Sequence, residues 1–220
     1  MRNIVADNLL LIREKIVPYK PNIIAVTKYY DKSAIELAFE CGLCDFAESR
    51  ANDGISKIDS LCKECRERSV FHFIGHLQSN KARRVVRYFD YIHSVDSLYI
   101  AEAISECALA EGKVQKVLLQ LNGANEDTKF GYSREEMLAD FEQILELKGV
   151  KVEGIMSMAP LLATESELEN LFEEVRCFKE LLEEKFGYKM NELSMGMSND
   201  YHIAVKHGAT MIRIGRKLFS

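Results

Sequence analysis

The sequence lacks any apolar run long enough to cross a membrane, and Met1-Arg2-Asn3 does not open a signal-peptide pattern. It also lacks excess positive charge, since 29 Lys and Arg stand against 34 Asp and Glu. We therefore expect no membrane association, no general nucleic-acid binding and a cytoplasmic location. Only three prolines occur and no low-complexity linker divides the chain, so we predict one domain spanning residues 1–220.

The cysteines are few but suggestively spaced. Four of the six form a C-x2-C-x17-C-x2-C pattern: Cys41, Cys44, Cys62 and Cys65. That spacing fits a zinc ribbon, which stays open as an alternative. We nevertheless expect no metal, because each pair coincides with a predicted helix or its end rather than with a tight turn. Reduced thiols are expected in a cytoplasmic protein.

Apolar runs alternate with amphipathic segments along the whole chain. The runs predict eight strands: Ile23–Thr27, Cys44–Ala47, Val70–Ile74, Tyr91–Val95, Val117–Leu121, Val152–Met156, Glu192–Met195 and Met211–Ile214. Between them lie helical patterns, the clearest from Glu165 to about Phe186, with a capping box at Thr164 and Glu167. This order predicts an α/β protein, either a (β/α)8 TIM barrel or an open doubly wound sheet.

Two features favour the barrel. The strand count is eight, and the chain ends soon after the eighth strand. An extra N-terminal helix, from Ile4 to about Val17, could cover the place of a missing eighth helix. Glycines follow the predicted helices at regular places, where a left-handed C-cap favours them: Gly42, Gly112, Gly149, Gly187 and Gly208.

Lys28 ends the first predicted strand, in the run Ile23-Ile24-Ala25-Val26-Thr27-Lys28. Burying an ammonium group without a partner is costly, so a lysine placed there tends to become a nucleophile. The alternative is a paired structural charge. In a barrel this position lies at the C-terminal end of the strands, where the functional groups of such folds gather.

The loops after strands seven and eight predict a phosphate site. They read Ser194-Met195-Gly196-Met197-Ser198 and Arg213-Ile214-Gly215-Arg216, and their glycines let backbone N–H groups approach an anion. A phosphate site beside an amine suggests an aldehyde ligand, either pyridoxal phosphate or a phosphosugar. Arg213, inside an apolar strand, requires an acceptor such as a pyridine nitrogen, or else a buried partner such as Glu48 or Glu153.

Five stretches together resemble the pyridoxal phosphate homeostasis proteins, the single-domain relatives of the alanine racemase barrel. They are Ala25-Val26-Thr27-Lys28, Phe71-His72-Phe73-Ile74-Gly75-His76-Leu77-Gln78-Ser79-Asn80-Lys81, Gly154-Ile155-Met156-Ser157-Met158, Leu193-Ser194-Met195-Gly196-Met197-Ser198 and Gly208-Ala209-Thr210-Met211-Ile212-Arg213-Ile214-Gly215. The resemblance implies a fold type III barrel with pyridoxal 5'-phosphate as cofactor. Two positions depart from the family pattern, Ser49 in place of asparagine and Arg216 in place of threonine.

The resemblance also implies roles for individual residues. Lys28 would hold the cofactor as a Schiff base, and Arg213 would face the pyridine nitrogen. Ser198 and the backbone around Gly215 and Arg216 would hold the phosphate. The remaining cofactor-binding candidates are Ser194 in the seventh-strand loop, His76 and Glu48.

A second acid/base is not evident in the sequence, which predicts a carrier with no catalytic residue of its own. The expected partners are the cofactor itself and apo-enzymes that use it, and the expected state is a monomer. The alternative is a racemase-type enzyme, with Tyr29, Tyr30, Tyr132 or His76 as the second base. Lys129, after strand five, is a weaker candidate for a second amine through which the cofactor moves.

Overall fold

The computed structural model describes residues 2–123 and 130–220, so Lys129 and its predicted role lie outside the described residues. Within them, eight parallel strands close into a barrel in sequence order, with β8 pairing with β1. The strands are β1 Asn22–Val26, β2 Asp45–Glu48, β3 Val70–Phe73, β4 Tyr91–Val95, β5 Gln115–Leu121, β6 Val150–Ser157, β7 Glu192–Ser194 and β8 Met211–Ile214. The (β/α)8 prediction is confirmed, and the open sheet is wrong.

Helices surround the barrel and cover its outer face. The described helices are α1 Arg2–Lys15, α2 Lys32–Glu40, α3 Ala51–Ser60, α4 Lys63–Arg68, α5 Ala82–Tyr88, α6 Leu98–Ala110, α7 Arg134–Glu146, α8 Glu165–Phe186, α9 Tyr201–Ala204 and α10 Arg216–Phe219. The predicted helix from Glu165 to Phe186 and its capping box are confirmed. Because α10 is only one turn long, the place of a full eighth helix is open to another element.

The N-terminal helix fills that place, as predicted. Asn8 of α1 donates its side-chain N–H to the carbonyl oxygens of Leu218 and Ser220, at 3.2 Å each. The buried side of α1 carries apolar residues at helical spacing, among them Leu9 and Ile12. The first and last helices of the chain therefore pack together and close the outer layer over the β1–β8 seam.

Four of the five predicted C-cap glycines have positive φ, but Gly149 does not. A Cβ atom at Gly149 would lie 2.2 Å from the carbonyl oxygen of Ser105. The glycine is there because the chain before β6 passes against the backbone of α6, and no side chain fits between them. The left-handed cap predicted at this position is wrong.

Side chains alternate between the two faces of the strands. One large apolar cluster lies between strands and helices, and a small one fills part of the barrel interior, with Ile24, Ala47, Leu118, Met156 and Met211 buried in it. These assignments give the inward-facing positions of the strands that contribute to the small cluster. They include Val26 of β1 and Arg213 of β8, which follows the inward Met211 by two residues.

Candidate functional site

Lys28 lies at the C-terminal mouth of the barrel, two residues beyond the end of β1. The backbone N–H of Thr27 donates to the carbonyl of Ala47 at 3.0 Å, and that of Tyr30 donates to the carbonyl of Thr27 at 2.9 Å. These bonds fix the turn that carries Lys28. Its side chain is half-buried, with Nζ 5.1 Å from the ring centroid of Tyr29. The lysine is thus not the fully buried strand charge that the sequence suggested, but it stands at the predicted end of the barrel.

Arg213 is buried inside the barrel, directly below that mouth. Its Nη1 donates to the carbonyl oxygen of Ser194 at 2.7 Å and to the Ser194 hydroxyl at 2.6 Å, and its Nη2 donates to the carbonyl of Ser157 at 2.8 Å. A guanidinium has five N–H donors. Three are engaged within the described residues, which leaves Nε–H and one Nη2–H to meet a ligand. Burial lowers the pKa of Arg213 to about 10. That value is still well above neutral pH, so the guanidinium is a cation there.

The alternative of a buried Arg–Glu pair is wrong. Glu48 pairs with Lys57 of α3, with 2.8 Å between the ammonium nitrogen and a carboxylate oxygen. Glu153 pairs with Lys151 at 2.8 Å. The acceptors that the described residues offer to the guanidinium are therefore all uncharged oxygens.

Glu48 itself lies on the outer face of the barrel. Because Ala47 faces inward, the next residue of β2 faces the helices. Its carboxylate accepts a hydrogen bond from the Thr27 hydroxyl at 2.6 Å and another from Lys57, which also donates to the Thr27 carbonyl at 2.8 Å. Glu48 thus supports the turn before Lys28 from outside. Lys57, which sequence reasoning missed, completes that support.

The loops after β7 and β8 meet as predicted. The backbone N–H of Lys217 donates to the Ser198 hydroxyl at 3.4 Å, and that of Arg213 donates to the Gly196 carbonyl at 2.9 Å. A Cβ atom at Gly215 would lie 3.4 Å from the carbonyl oxygen of Val26, so the end of β8 abuts the end of β1. The structure therefore brings Ser198, Gly215 and the exposed Arg216 to the side of the mouth that carries Lys28.

Ser194 and His76 occupy different surroundings. Ser194 is fully buried in β7, where its hydroxyl accepts from Arg213. It can therefore act on a ligand only indirectly, by positioning that guanidinium. His76 follows β3 at the same end of the barrel. Its Nδ1 lies 3.1 Å from Asp96, and its ring stacks on Phe130 with centroids 3.8 Å apart. A third of its side chain is exposed, so it can meet a molecule entering the mouth.

Two of the three tyrosines named as alternative bases, Tyr132 and Tyr30, are engaged in hydrogen bonding or packing. Tyr132 is buried and donates its hydroxyl to Asp140 at 3.1 Å, and burial raises its pKa far above the usual value. Tyr30 packs on Phe219 with ring centroids 4.7 Å apart. Tyr29 is mostly exposed beside Lys28. Neither Tyr132 nor Tyr30 is thus poised as an acid/base group.

Sequence reasoning also missed a row of polar side chains inside the barrel, below Arg213. His72 of β3 and His93 of β4 are fully buried, with 2.9 Å between His72 Nδ1 and His93 Nε2. His93 Nδ1 lies 3.1 Å from the Ser194 hydroxyl, and His72 Nε2 lies 2.9 Å from Asp45 Oδ1. The available signal was a histidine at an inward position of two otherwise apolar strands.

The cysteine pattern gives no metal centre in the part of the chain that the structure describes. No group of three or more His, Cys, Asp or Glu side chains there could hold a metal ion. Cys65 is buried with its Sγ 3.9 Å from the Ser69 hydroxyl, and burial raises the pKa of its thiol.

Within the described residues, no helix combines the length and apolarity that a membrane crossing requires.

Comparison with known proteins gives consistent matches over nearly the full length. The family model for the alanine racemase N-terminal domain matches residues 2–220. A pyridoxal phosphate homeostasis protein of Synechocystis sp. is 40% identical over 203 residues, which cover 92% of this chain and 92% of the relative. The Escherichia coli K12 protein of the same name is 33% identical over 229 residues, covering 99% of this chain and 96% of the relative.

Solved structures match as well. PipY of Synechococcus elongatus PCC7942, solved with PLP bound, superposes with a TM-score of 0.89 at 36% identity, covering 98% of this chain and 100% of PipY. An alanine racemase of Clostridium difficile superposes with a TM-score of 0.82 at 17% identity, covering 99% of this chain and 56% of the racemase. At that identity the second likeness shows the fold alone.

Proposed function

The chain belongs to the alanine racemase N-terminal domain family and, within it, to the pyridoxal phosphate homeostasis proteins, and we propose that it binds pyridoxal 5'-phosphate and buffers or delivers it. The observation that carries this proposal is the meeting of two groups at one mouth. The Lys28 amine stands at the C-terminal mouth, and the Arg213 guanidinium lies inside the barrel below that mouth, with N–H donors that no described residue engages. An aldehyde and a pyridine nitrogen at opposite ends of one ring fit that pair.

The chain's own residues would hold the cofactor at three places. The Lys28 amine would hold the aldehyde covalently, with loss of water. Arg213 donates an N–H to the ring nitrogen. Ser198 and the backbone at Gly215 and Arg216 hold the phosphate, where the Arg216 guanidinium adds a second, charged donor. His76 lines the mouth, and Glu48 acts from outside by fixing the turn before Lys28.

We propose that this protein is a carrier rather than a catalyst. A bound pyridoxal phosphate supplies an electron sink for amino-acid chemistry, and that sink is strongest when the ring nitrogen is protonated. Arg213 donates to that nitrogen and so keeps it unprotonated, which weakens the sink. The engaged hydroxyl of Tyr132 and the packed ring of Tyr30 also favour this assignment. A racemase-type enzyme remains the second candidate, with exposed Tyr29 or His76 as its base.

The wider setting follows from the same proposal. A protein that keeps a reactive aldehyde bound is useful to apo-enzymes that need that cofactor, which are its proposed macromolecular partners. We propose that it acts in the cytoplasm as a monomer formed by one domain of residues 1–220, with no role for nucleic acid or membranes. Its net charge of −5 supports the absence of a nucleic-acid partner.

The decisive experiment maps the modified amine. Purified protein is mixed with pyridoxal phosphate, reduced with borohydride, digested and analysed by mass spectrometry. We expect one labelled lysine, Lys28, and loss of the label in Lys28→Ala. Lys32→Ala is the matched control, because Lys32 is an exposed lysine four residues away that pairs with Glu36. In this control variant Lys28 should be labelled fully. Label on a residue other than Lys28 would contradict the proposal.

A second measurement separates carrier from enzyme. The holo-protein is incubated with amino acids in deuterated water, and exchange of the α-proton is followed by NMR. The carrier assignment predicts no exchange above free pyridoxal phosphate. Exchange that is catalytic and lost in Lys28→Ala would establish the racemase-type alternative instead.

A further inference from the structure

A continuous hydrogen-bonded chain crosses the barrel interior from one mouth to the other. It begins at the first residue of β2, passes through β3 and β4, and crosses to β7 and β8. We name this chain the interior relay, and its members are Asp45, His72, His93, Ser194 and Arg213. The spacing along it is 2.9, 2.9, 3.1 and 2.6 Å.

With one ring proton on each histidine, the two ends of the interior relay set the direction of every bond in it. Arg213 can only donate, so the Ser194 hydroxyl accepts from it and can turn its own proton to His93 Nδ1. A neutral His93 then carries its proton on Nε2 and donates to His72 Nδ1. A neutral His72 likewise donates from Nε2 to the Asp45 carboxylate, which can only accept. Each donor has an acceptor, and no proton is shared twice.

Burial keeps His93, at the centre of the relay, uncharged. Desolvation lowers the pKa of His93 well below its usual value, and nearby positive charge, including the Arg213 cation, lowers it further. In this order of protons, the Arg213 guanidinium and the Asp45 carboxylate are joined by hydrogen bonds that all point the same way. Such a chain strengthens each of its bonds and holds the guanidinium in one orientation.

The far end of the relay is accessible. Asp45 has 18% of its side chain exposed and lines a cavity of about 670 Å³ at the N-terminal mouth, where Asn22 also donates to it at 2.8 Å. If Asp45 ceases to be an obligate acceptor, the opposite order of protons becomes available. His93 would then donate from Nδ1 to Ser194, whose own proton would have to turn elsewhere. The Ser194 hydroxyl, which accepts from the guanidinium, would then be oriented differently.

We infer that the interior relay couples the N-terminal mouth to the ring-binding end of the site. Asp45, His72 and His93 are positioning residues that act through Ser194 on Arg213. The coupling to the cofactor ring rests on the proposed function, whereas the direction of the relay does not.

The first test needs no variant and no cofactor. In nitrogen-15-labelled apo-protein, NMR reports which imidazole nitrogen carries the proton. We expect both histidines to be neutral with the proton on Nε2, and a scalar coupling through the hydrogen bond between His93 Nε2 and His72 Nδ1. A proton on His93 Nδ1, or a missing coupling, overturns the assigned direction.

The second test uses Asp45→Asn, which keeps the shape of the side chain. It replaces the carboxylate, an obligate acceptor, with an amide that can also donate. The matched control is Asp90→Asn, since Asp90 lines the same cavity but accepts from the Phe71 backbone at 2.8 Å and lies outside the relay. We expect Asp45→Asn, and not the control, to shift the His93 resonances in the apo-protein. In protein loaded with ring-labelled pyridoxal phosphate, only Asp45→Asn should shift the ring-nitrogen resonance.

The outcomes separate the two proposals. If Lys28 carries the label but the ring nitrogen shifts equally in both variants or in neither, the coupling is overturned and the carrier function stands. If Lys28 carries no label, the proposed function fails, and the apo-protein measurements still decide the relay. If Asp45→Asn fails to fold, Ser194→Ala interrupts the relay at its other end. An unchanged His93 resonance in Ser194→Ala overturns the relay.

Discussion

The interior of the barrel and the layer between barrel and helices are filled in different ways. The outer layer is a continuous apolar cluster to which every strand and nearly every helix contributes. The interior has five buried apolar side chains, and the interior relay occupies much of the rest. In a barrel of this fold the interior is normally packed by bulky branched residues. Here the stability of the fold therefore rests on the outer layer, which leaves the interior free for polar groups.

The largest effect should come from the outer layer. Phe141 of α7 is fully buried, with ring centroids 4.9 Å from Phe186 and 6.4 Å from Tyr188. Phe141→Ala should lower the free energy of unfolding by about 3–5 kcal/mol in urea titrations, because it leaves a cavity. The control Leu109→Ala removes an exposed apolar side chain and should stay within about 0.5 kcal/mol of the parent.

That variant should leave the label on Lys28 unchanged at a temperature where it is folded. If Phe141→Ala abolished labelling while still folded, the division between a stabilising outer layer and a functional interior would fail. Labelling is therefore measured alongside unfolding.

A smaller effect is expected from the polar pair within the outer layer. Glu48 is buried and Lys57 nearly so, and each also contacts Thr27. Glu48→Gln leaves the ammonium without its counter-charge and should cost about 1–3 kcal/mol in the same urea titration. Glu36→Gln breaks the exposed pair with Lys32 and should cost at most about 0.5 kcal/mol. Equal costs would mean that burial does not distinguish these two pairs.

The sequence was sufficient for the fold and for part of the site, because both depend on local pattern. Alternating apolar runs located all eight strands, and closure of the barrel then placed Lys28, Arg213 and the Ser198 loop at one end. Strand ends were predicted less accurately. β6 begins at Val150 rather than at Val152, because the exposed Lys151 interrupts the apolar run from which the strand was predicted.

The face on which a side chain lies could not be read from so short a strand. Asp45-Phe46-Ala47-Glu48 shows no alternation that would distinguish inside from outside. The resemblance implied that Glu48 lies near the ligand, and its side chain lies against α3 instead. The interior relay was out of reach for another reason. His93 contacts residues 21 and 101 positions away, and such contacts depend on how distant strands align around a closed barrel.

The last prediction concerns acid, and it tests the buried imidazole of His93 in the barrel interior. The pKa of His93 is lowered in the folded protein by burial first, and then by His72 and Arg213. In the unfolded chain it returns to about 6.5. Below that pH the unfolded state binds a proton that the folded state does not, so stability is complete above pH 6.5 and falls as the pH is lowered. The slope from one such group is at most about 1.4 kcal/mol per pH unit.

His93→Gln should remove that slope between about pH 5 and 6.5, measured as unfolding free energy at several pH values. A residual slope is expected from His202, whose pKa burial also lowers. The control Phe141→Leu destabilises the outer layer without a titrating group, so its curve should lie parallel to that of the parent. If His93→Gln gave a parallel curve as well, the buried imidazole would not be neutral in the folded state. The uniform direction of the interior relay would then fail with it, because a doubly protonated His93 donates at both ends.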